Sequence, residues 1–208
     1  MLWEPIPSFS GQFKGNGHTI SDLTITGQYS PAGLFGIVEE QGSIESLSVR
    51  GVVSVSDSAD TTTGGIVGIN HGTLISCQFT GVVTGDSEVG GIVGRNESEG
   101  TIDHSTARAI VTGKSSTGGI AGYNLGAITG CTNVGSINTE YPEASLDTDG
   151  FTAKMVDYIN NKMAAAADDA TNSVTNVATD TGGIAGRSSG MILTSVNTLS
   201  LIHISEPT

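Results

Sequence analysis

"GGIVG" at Gly64–Gly68 recurs as "GGIVG" at Gly90–Gly94, and as "GGIAG" at Gly118–Gly122 and again at Gly182–Gly186. An earlier variant, "AGLFG", closes at Gly36. The closing glycines Gly36, Gly68, Gly94, Gly122 and Gly186 lie 32, 26, 28 and 64 residues apart. A period of this size marks a repeat architecture, in which each unit is too small to bury its apolar face alone and does so against its neighbours. The paired glycines that open the motif, Gly64 and Gly65, Gly90 and Gly91, Gly118 and Gly119, Gly182 and Gly183, are part of the same pattern.

The text after each motif keeps one grammar. "NHGTLISCQFTGVVTG" from Asn70 aligns with "NLGAITGCTNVGSIN" from Asn124, with "QGSIESLSVRGVVS" from Gln41, and with "NESEGTIDHSTARAIVTG" from Asn96 after a two-residue insertion. One aligned column holds Ile44, Leu74, Ile102, Ile128 and Ile192; another holds Leu47, Cys77, Ser105, Cys131 and Ser195; a third holds Val53, Val83, Val111 and Ile137. Cys77, Phe79, Gly81 and Val83 are two apart, the period of a strand with one face turned inward. Leu74 breaks that step, which predicts a bend before Cys77. Each unit reads as about three short strands separated by glycine turns. Coils stacked at roughly 4.8 Å put like residues in register, so the motif reads as corner, strand, corner, with glycines supplying positive φ. Asn70, Asn96 and Asn124 would then stack at one turn as an amide ladder.

Composition agrees with an all-β chain. Thirty glycines against five prolines in 208 residues call for many tight turns, and the Val, Ile and Thr around them are strand formers. The length suits one domain, or two small ones. A formal charge of −13 repels phosphate backbones and anionic membrane surfaces, which excludes nucleic acid as an expected partner. No apolar run is long enough to span a bilayer, and the first residues, "MLWEP", lack the layout of a secretory signal.

The stretched interval contains an excursion over about residues 139–181. Phe151, Met155, Tyr158, Ile159, Met163 and Ala166 recur at three and four, which predicts an amphipathic helix at 150–167 with Asp149 as N-cap. Such a face either packs on the flank of the stack or serves as a partner-binding arm.

"FSGQFKGNGHTISDLTI" at Phe9–Ile25, the "GLFG" from Gly33 and the repeated "GGIVG" units together resemble the GLUG-motif repeat proteins, over residues 3–198. These are large bacterial surface proteins of adhesin-like architecture, common in gut anaerobes. Similar repeats accompany some secreted immunoglobulin-A-cleaving metallopeptidases. The resemblance implies a right-handed parallel β-helix, an extracellular location at the bacterial cell surface or in the medium, and an adhesive or scaffolding role. The expected fold is thus an all-β, right-handed single-stranded parallel β-helix of about five coils over residues 1–198, with one inserted helix. The final "LSLIHISEPT", residues 199–208, stands where a glycine and valine strand is expected. It resembles the translation of a sequencing-library adapter, which would make the chain a fragment; the alternative is a last strand, "LSLIHI", that caps the stack. In the first case, further coils would stack beyond the C-terminal end.

Chemistry is sparse. Cys77 and Cys131 share a column two coils apart, about 10 Å, too far for a disulfide, so they read as small buried thiols. His18, His71, His104 and His203 do not converge, and no H-E-x-x-H zinc motif is present. Asp57, Asp60, Asp86 and Glu88 sit in loops before the motif and could form a weak calcium site if those loops stack, but Lys114 interrupts the column and a solvated acidic edge is the simpler reading. Lys14–Gly17, "KGNG", lacks the strand-loop-helix setting of a phosphate loop. Ten aromatic residues, with Trp3 at the edge of the fold, leave few platforms for sugar rings, and outward positions are mostly Thr, Ser and Gln rather than paired carboxylates. No cofactor is expected. The function expected is a non-enzymatic segment of a bacterial surface or secreted protein, whose partner would be a host or neighbouring-cell protein or glycan. A glycan-cleaving β-helix enzyme and the stalk of a secreted metallopeptidase are the alternatives.

Overall fold

In the computed structural model, residues 2–55, 61–138 and 179–198 are described. The predicted helix at 150–167, most of the excursion and the tail at 199–208 lie outside them, as do Asp57, Asp60 and His203. The described residues form strands that stack in successive levels. The first level holds β1 (Ile6–Phe9), β2 (Gln12–Lys14) and β3 (Thr19–Gly27); the second holds β4 (Phe35–Val38), β5 (Ser43–Glu45) and β6 (Ser48–Val55). The third adds a short strand in front: β7 (Thr63–Gly64), β8 (Val67–Asn70), β9 (Thr73–Ile75) and β10 (Gln78–Thr84). The fourth repeats it as β11 (Val89–Gly90), β12 (Val93–Asn96), β13 (Thr101–Asp103) and β14 (Thr106–Thr112). The fifth has β15 (Ser115–Gly118), β16 (Ala121–Asn124), β17 (Ala127–Thr129) and β18 (Thr132–Asn133). The last has β19 (Thr179–Gly182), β20 (Ala185–Ser188), β21 (Met191–Leu193) and β22 (Val196–Asn197).

Corresponding strands pair in parallel, giving three six-stranded sheets and one four-stranded sheet around a single core. This is the expected all-β parallel solenoid. The sequence columns are physical: Ile44, Leu74, Ile102, Ile128 and Ile192 pair level by level, as do Val53, Val83 and Val111. The chain that leaves at Asn138 returns at β19 directly above β15, so the long interval costs the stack no register.

Two expectations about the motif change. A full unit has four strands, not three, because the residues before the motif pair as well: Thr63 with Val89 and Val89 with Thr117. The motif is also not corner, strand, corner. Gly64 ends one strand, Gly65 and Ile66 bend, and Gly68 lies inside β8. None of its glycines has positive φ; among the described glycines only Gly17, Gly27, Gly81 and Gly130 do. Space is what requires glycine. A Cβ on Gly68 would lie 2.5 Å from Pro31 and 2.7 Å from the carbonyl oxygen of Gly36, and one on Gly94 2.6 Å from the Thr63 amide and 2.8 Å from the Gly68 carbonyl oxygen. A Cβ on Gly65 would lie 2.5 Å from the carbonyl oxygen of Gly91 and from the Phe79 ring across the coil. The motif is spelled with glycine because stacked backbones and the opposite wall close in there.

The left-handed corner falls elsewhere. Ser46, Ser76, His104, Gly130 and Thr194, each between the last two strands of its level, have φ between 45° and 61°. This is the bend that Leu74 predicts before Cys77. Non-glycine residues in this region cost about 1 kcal/mol or more each. The stack offsets this with a column of hydrogen bonds: the amides of Ser46, Ser76, His104 and Gly130 donate to Ile75, Asp103, Thr129 and Leu193 of the next level, at 2.9, 2.9, 2.9 and 3.0 Å.

Candidate interaction surface

The buried polar groups of the stack bond both within their own turns and between levels. Asn70 Nδ2 donates to Asn96 Oδ1 at 2.8 Å, Asn96 Nδ2 to Asn124 Oδ1 at 2.8 Å, and Asn124 Nδ2 to Ser188 Oγ at 3.2 Å. The same Nδ2 groups also reach the turn carbonyls of Gly72, Gly100 and Gly126. All three asparagines are fully buried, so each amide gains its neighbour's dipole without competition from water. A second amide ladder escapes the sequence alignment: Asn133 Nδ2 donates to Asn197 Oδ1 at 3.0 Å, and Asn133 Oδ1 accepts from the Gly135 amide at 3.0 Å. Asn133 continues a column occupied below by Val49, Phe79 and Ala107, which reads as apolar. Its signal was present, since Asn133 and Asn197 are 64 residues apart, as are the closing glycines Gly122 and Gly186.

The cysteines belong to another such column. Cys77 Sγ donates to the carbonyl of Ile75 at 3.4 Å and Cys131 Sγ to that of Thr129 at 3.4 Å; Ser105 Oγ and Ser195 Oγ make the same bond two residues back, at 3.1 and 3.0 Å. The amides of Cys77 and Cys131 donate up to Ser105 Oγ and Ser195 Oγ, at 3.1 and 3.2 Å. Cys and Ser alternate because the position needs a small donor, which either supplies. Both thiols are free, and burial pushes both up to about 11, so they stay protonated and unreactive at neutral pH.

The outer faces carry what chemistry there is. Asp86 pairs with Lys114 at 2.6 Å. Glu88 pairs with Arg95 at 2.7 Å and accepts from Thr62 Oγ1 at 3.0 Å, so both described members of the calcium set are held by partners within the chain. Among the described residues no three His, Cys, Asp or Glu side chains are grouped as metal ligands. His18 and His104 are exposed, and His71 lines a shallow corner with Ser10, Glu39, Glu40 and Gln41; the described histidines do not meet.

One outward column stands out. Ile37, Ile69, Arg95, Tyr123 and Arg187 follow one another up the sheet of β4, β8, β12, β16 and β20. The Arg95 guanidinium lies 5.0 Å and that of Arg187 5.4 Å from the Tyr123 ring centroid. Arg95 is fixed by Glu88 and by Glu97 at 2.6 Å, whereas Arg187 is exposed. Level spacing puts consecutive outward side chains about 4.8 Å apart, inside the range of a cation–π contact.

Residues 85–112 match the family model described as the GLUG motif. The chain carries the GLUG motif. The match spans the fourth level, β11 to β14, whose register with the levels on either side extends the same grammar along the stack. The chain is 36% identical over 101 residues to halomucin of Haloquadratum walsbyi, which covers 48% of this chain and 1% of halomucin. It is 29% identical over 137 residues to a protein of Evansella cellulosilytica named as a Gly-rich membrane protein, covering 48% of this chain and 16% of that one. The chain therefore spans a small part of either relative. No solved structure gives a significant match.

Proposed function

We propose that this GLUG stack is a non-enzymatic scaffold segment of a cell-surface protein, holding outer side chains in rows for contact with a neighbouring cell's proteins or glycans. The observation that carries the reading is the division of labour within each coil. Buried Asn, Ser and Cys side chains bond to their own turns and from level to level, and the described acidic loop residues are neutralised in place, so chemistry directed outward falls to the lateral columns. The names of the two relatives support a surface or membrane-associated setting. In the test, labelled chain is applied to intact cells and immobilised glycans, alongside a polysaccharide panel assayed for new reducing ends. Binding without turnover is expected, weakened several-fold when Tyr123→Ala and Arg187→Glu remove the outer stack. Release of reducing ends by the purified chain would replace this reading with a glycan-cleaving one.

A further inference from the structure

Two outward columns on neighbouring sheets carry opposite charge at the same heights. Along the sheet of β6, β10 and β14, Arg50, Thr80 and Arg108 stand in one column on the second, third and fourth levels. Along the sheet of β5, β9 and β13, Glu45, Ile75 and Asp103 stand in one column on the same three levels, each flanking a buried Ile44, Leu74 or Ile102. The two ladders therefore set the cations two levels apart, about 9.6 Å, and the anions by the same distance, each row centred on an uncharged residue.

The cations have no partner within the chain. Arg50 and Arg108 are exposed, and among the described residues neither forms an ion pair, whereas Arg95 is held by Glu88 and Glu97, and Lys114 by Asp86. The left-handed corner at Ser46 and at His104 lies between each acid and the arginine of its own level, and neither Glu45 nor Asp103 pairs with an arginine. Glu45 accepts from Ser43 Oγ at 3.4 Å, and Asp103 Oδ2 lies 2.8 Å from His104 Nδ1. Both carboxylates are half-buried and keep acceptor capacity for a further donor.

We infer that a second copy of this chain docks side by side with the first, its Glu45, Ile75 and Asp103 column against the Arg50, Thr80 and Arg108 column. The match is one of charge and register. When the third levels face each other both arginines meet a carboxylate, and a slip of one level leaves neither arginine opposite an acid, because Lys14, Ile75 and Thr129 fill the other heights of the acidic column. The net charge of −13 opposes this only weakly at physiological ionic strength, where a Debye length of about 8 Å screens charges spread over a chain's width but not pairs in contact. The two columns belong to different faces, so each docked copy keeps one of them unused and the contact repeats into a row unless its rotation closes a ring. The inference goes beyond the scaffold reading and stands whether or not the stack binds a neighbouring cell.

Sedimentation velocity of the 208-residue chain at physiological ionic strength, over a wide concentration range, tests this. The expected result is a concentration-dependent series of species. Arg50→Glu with Arg108→Glu, and separately Glu45→Arg with Asp103→Arg, weaken the association by at least about tenfold with an unchanged β circular dichroism signal, and an equimolar mixture of the two variants restores it. Loss of fold in either variant cannot produce that rescue. Thr80→Cys and Ile75→Cys proteins are joined by a short bis-maleimide when mixed and not when treated apart, since the native thiols are buried. Monomer throughout, charge-reversed variants that associate as tightly as the parent, a mixture that stays monomeric, or Thr80→Cys protein linked to itself would each overturn the inference.

Discussion

The fourth level and the last carry the same motif and the same register, yet one is core and the other is surface. Ile92 and Val93 are fully buried, whereas their counterparts Ile184 and Ala185 are half-buried and Ile192 is open to solvent. Equivalent positions acquire different physical meaning because burial in a solenoid is conferred by the level above and the level below. The last level has only one such neighbour among the described residues. The difference separates what a GLUG coil contributes as a template from what it gains by being stacked.

The sharpest way to break the comparison is to fill the space between levels. Gly94→Val should destabilise the chain by about 3 kcal/mol or more, since its Cβ meets the Thr63 amide and the Gly68 carbonyl, backbone groups that cannot swing away. Gly17→Ala, where a Cβ meets nothing within 4 Å and only φ is strained, should cost about 1 kcal/mol. Urea denaturation of the two variants measures the gap, and equal losses would mean that conformation rather than space selects these glycines.

A smaller effect compares one column at two heights. Ile102→Ala should cost about 3 kcal/mol, because the site is enclosed above and below, and Ile192→Ala below about 1 kcal/mol, because its side chain already meets water. Midpoints of denaturation at one low protein concentration would show this, and a loss at Ile192 matching that at Ile102 would mean that the last coil is covered in solution.

A last effect, silent at neutral pH, concerns the two thiols, which both lie in enclosed levels. Their folded values are raised to about 11 from the ordinary 9.0, so the folded chain keeps protons that the unfolded chain releases. Stability is therefore unaffected below pH 9 and falls as pH rises from 9 toward 11, by at most about 1.4 kcal/mol per pH unit per thiol. Denaturation at pH 8 and pH 10 reads the slope. The double variant Cys77→Ser, Cys131→Ser, which places at both heights the residue already found at Ser105, should flatten it.

Much of the fold was legible because a solenoid writes its tertiary contacts into one repeated line of text. The spacing of the closing glycines gave the levels, and Ile44, Leu74, Ile102 and Ile128 gave a core column, since residues one period apart touch. The positions misread were those decided by approach across the coil rather than along it. Gly65 looked like a turn residue and is a vacancy for Phe79; Asn133, which the aligned columns left out, is the foot of a second ladder. The acidic loop residues read as a solvated edge with a weak calcium site as the alternative; Asp86 and Glu88 are matched to Lys114 and Arg95, and Asp57 and Asp60 lie outside the described residues.

By itself the sequence determined the all-β class, the repeat period, the residues that share a column and the absence of a recognisable zinc or phosphate-binding motif. Periodicity fixes the first three, because a strand's inward positions and a coil's length are local properties. Only the tertiary structure decided where the corners turn, why the motif is glycine and which polar groups bond between levels. Those depend on the distance between backbones stacked level on level and across the coil, which no single unit of sequence contains.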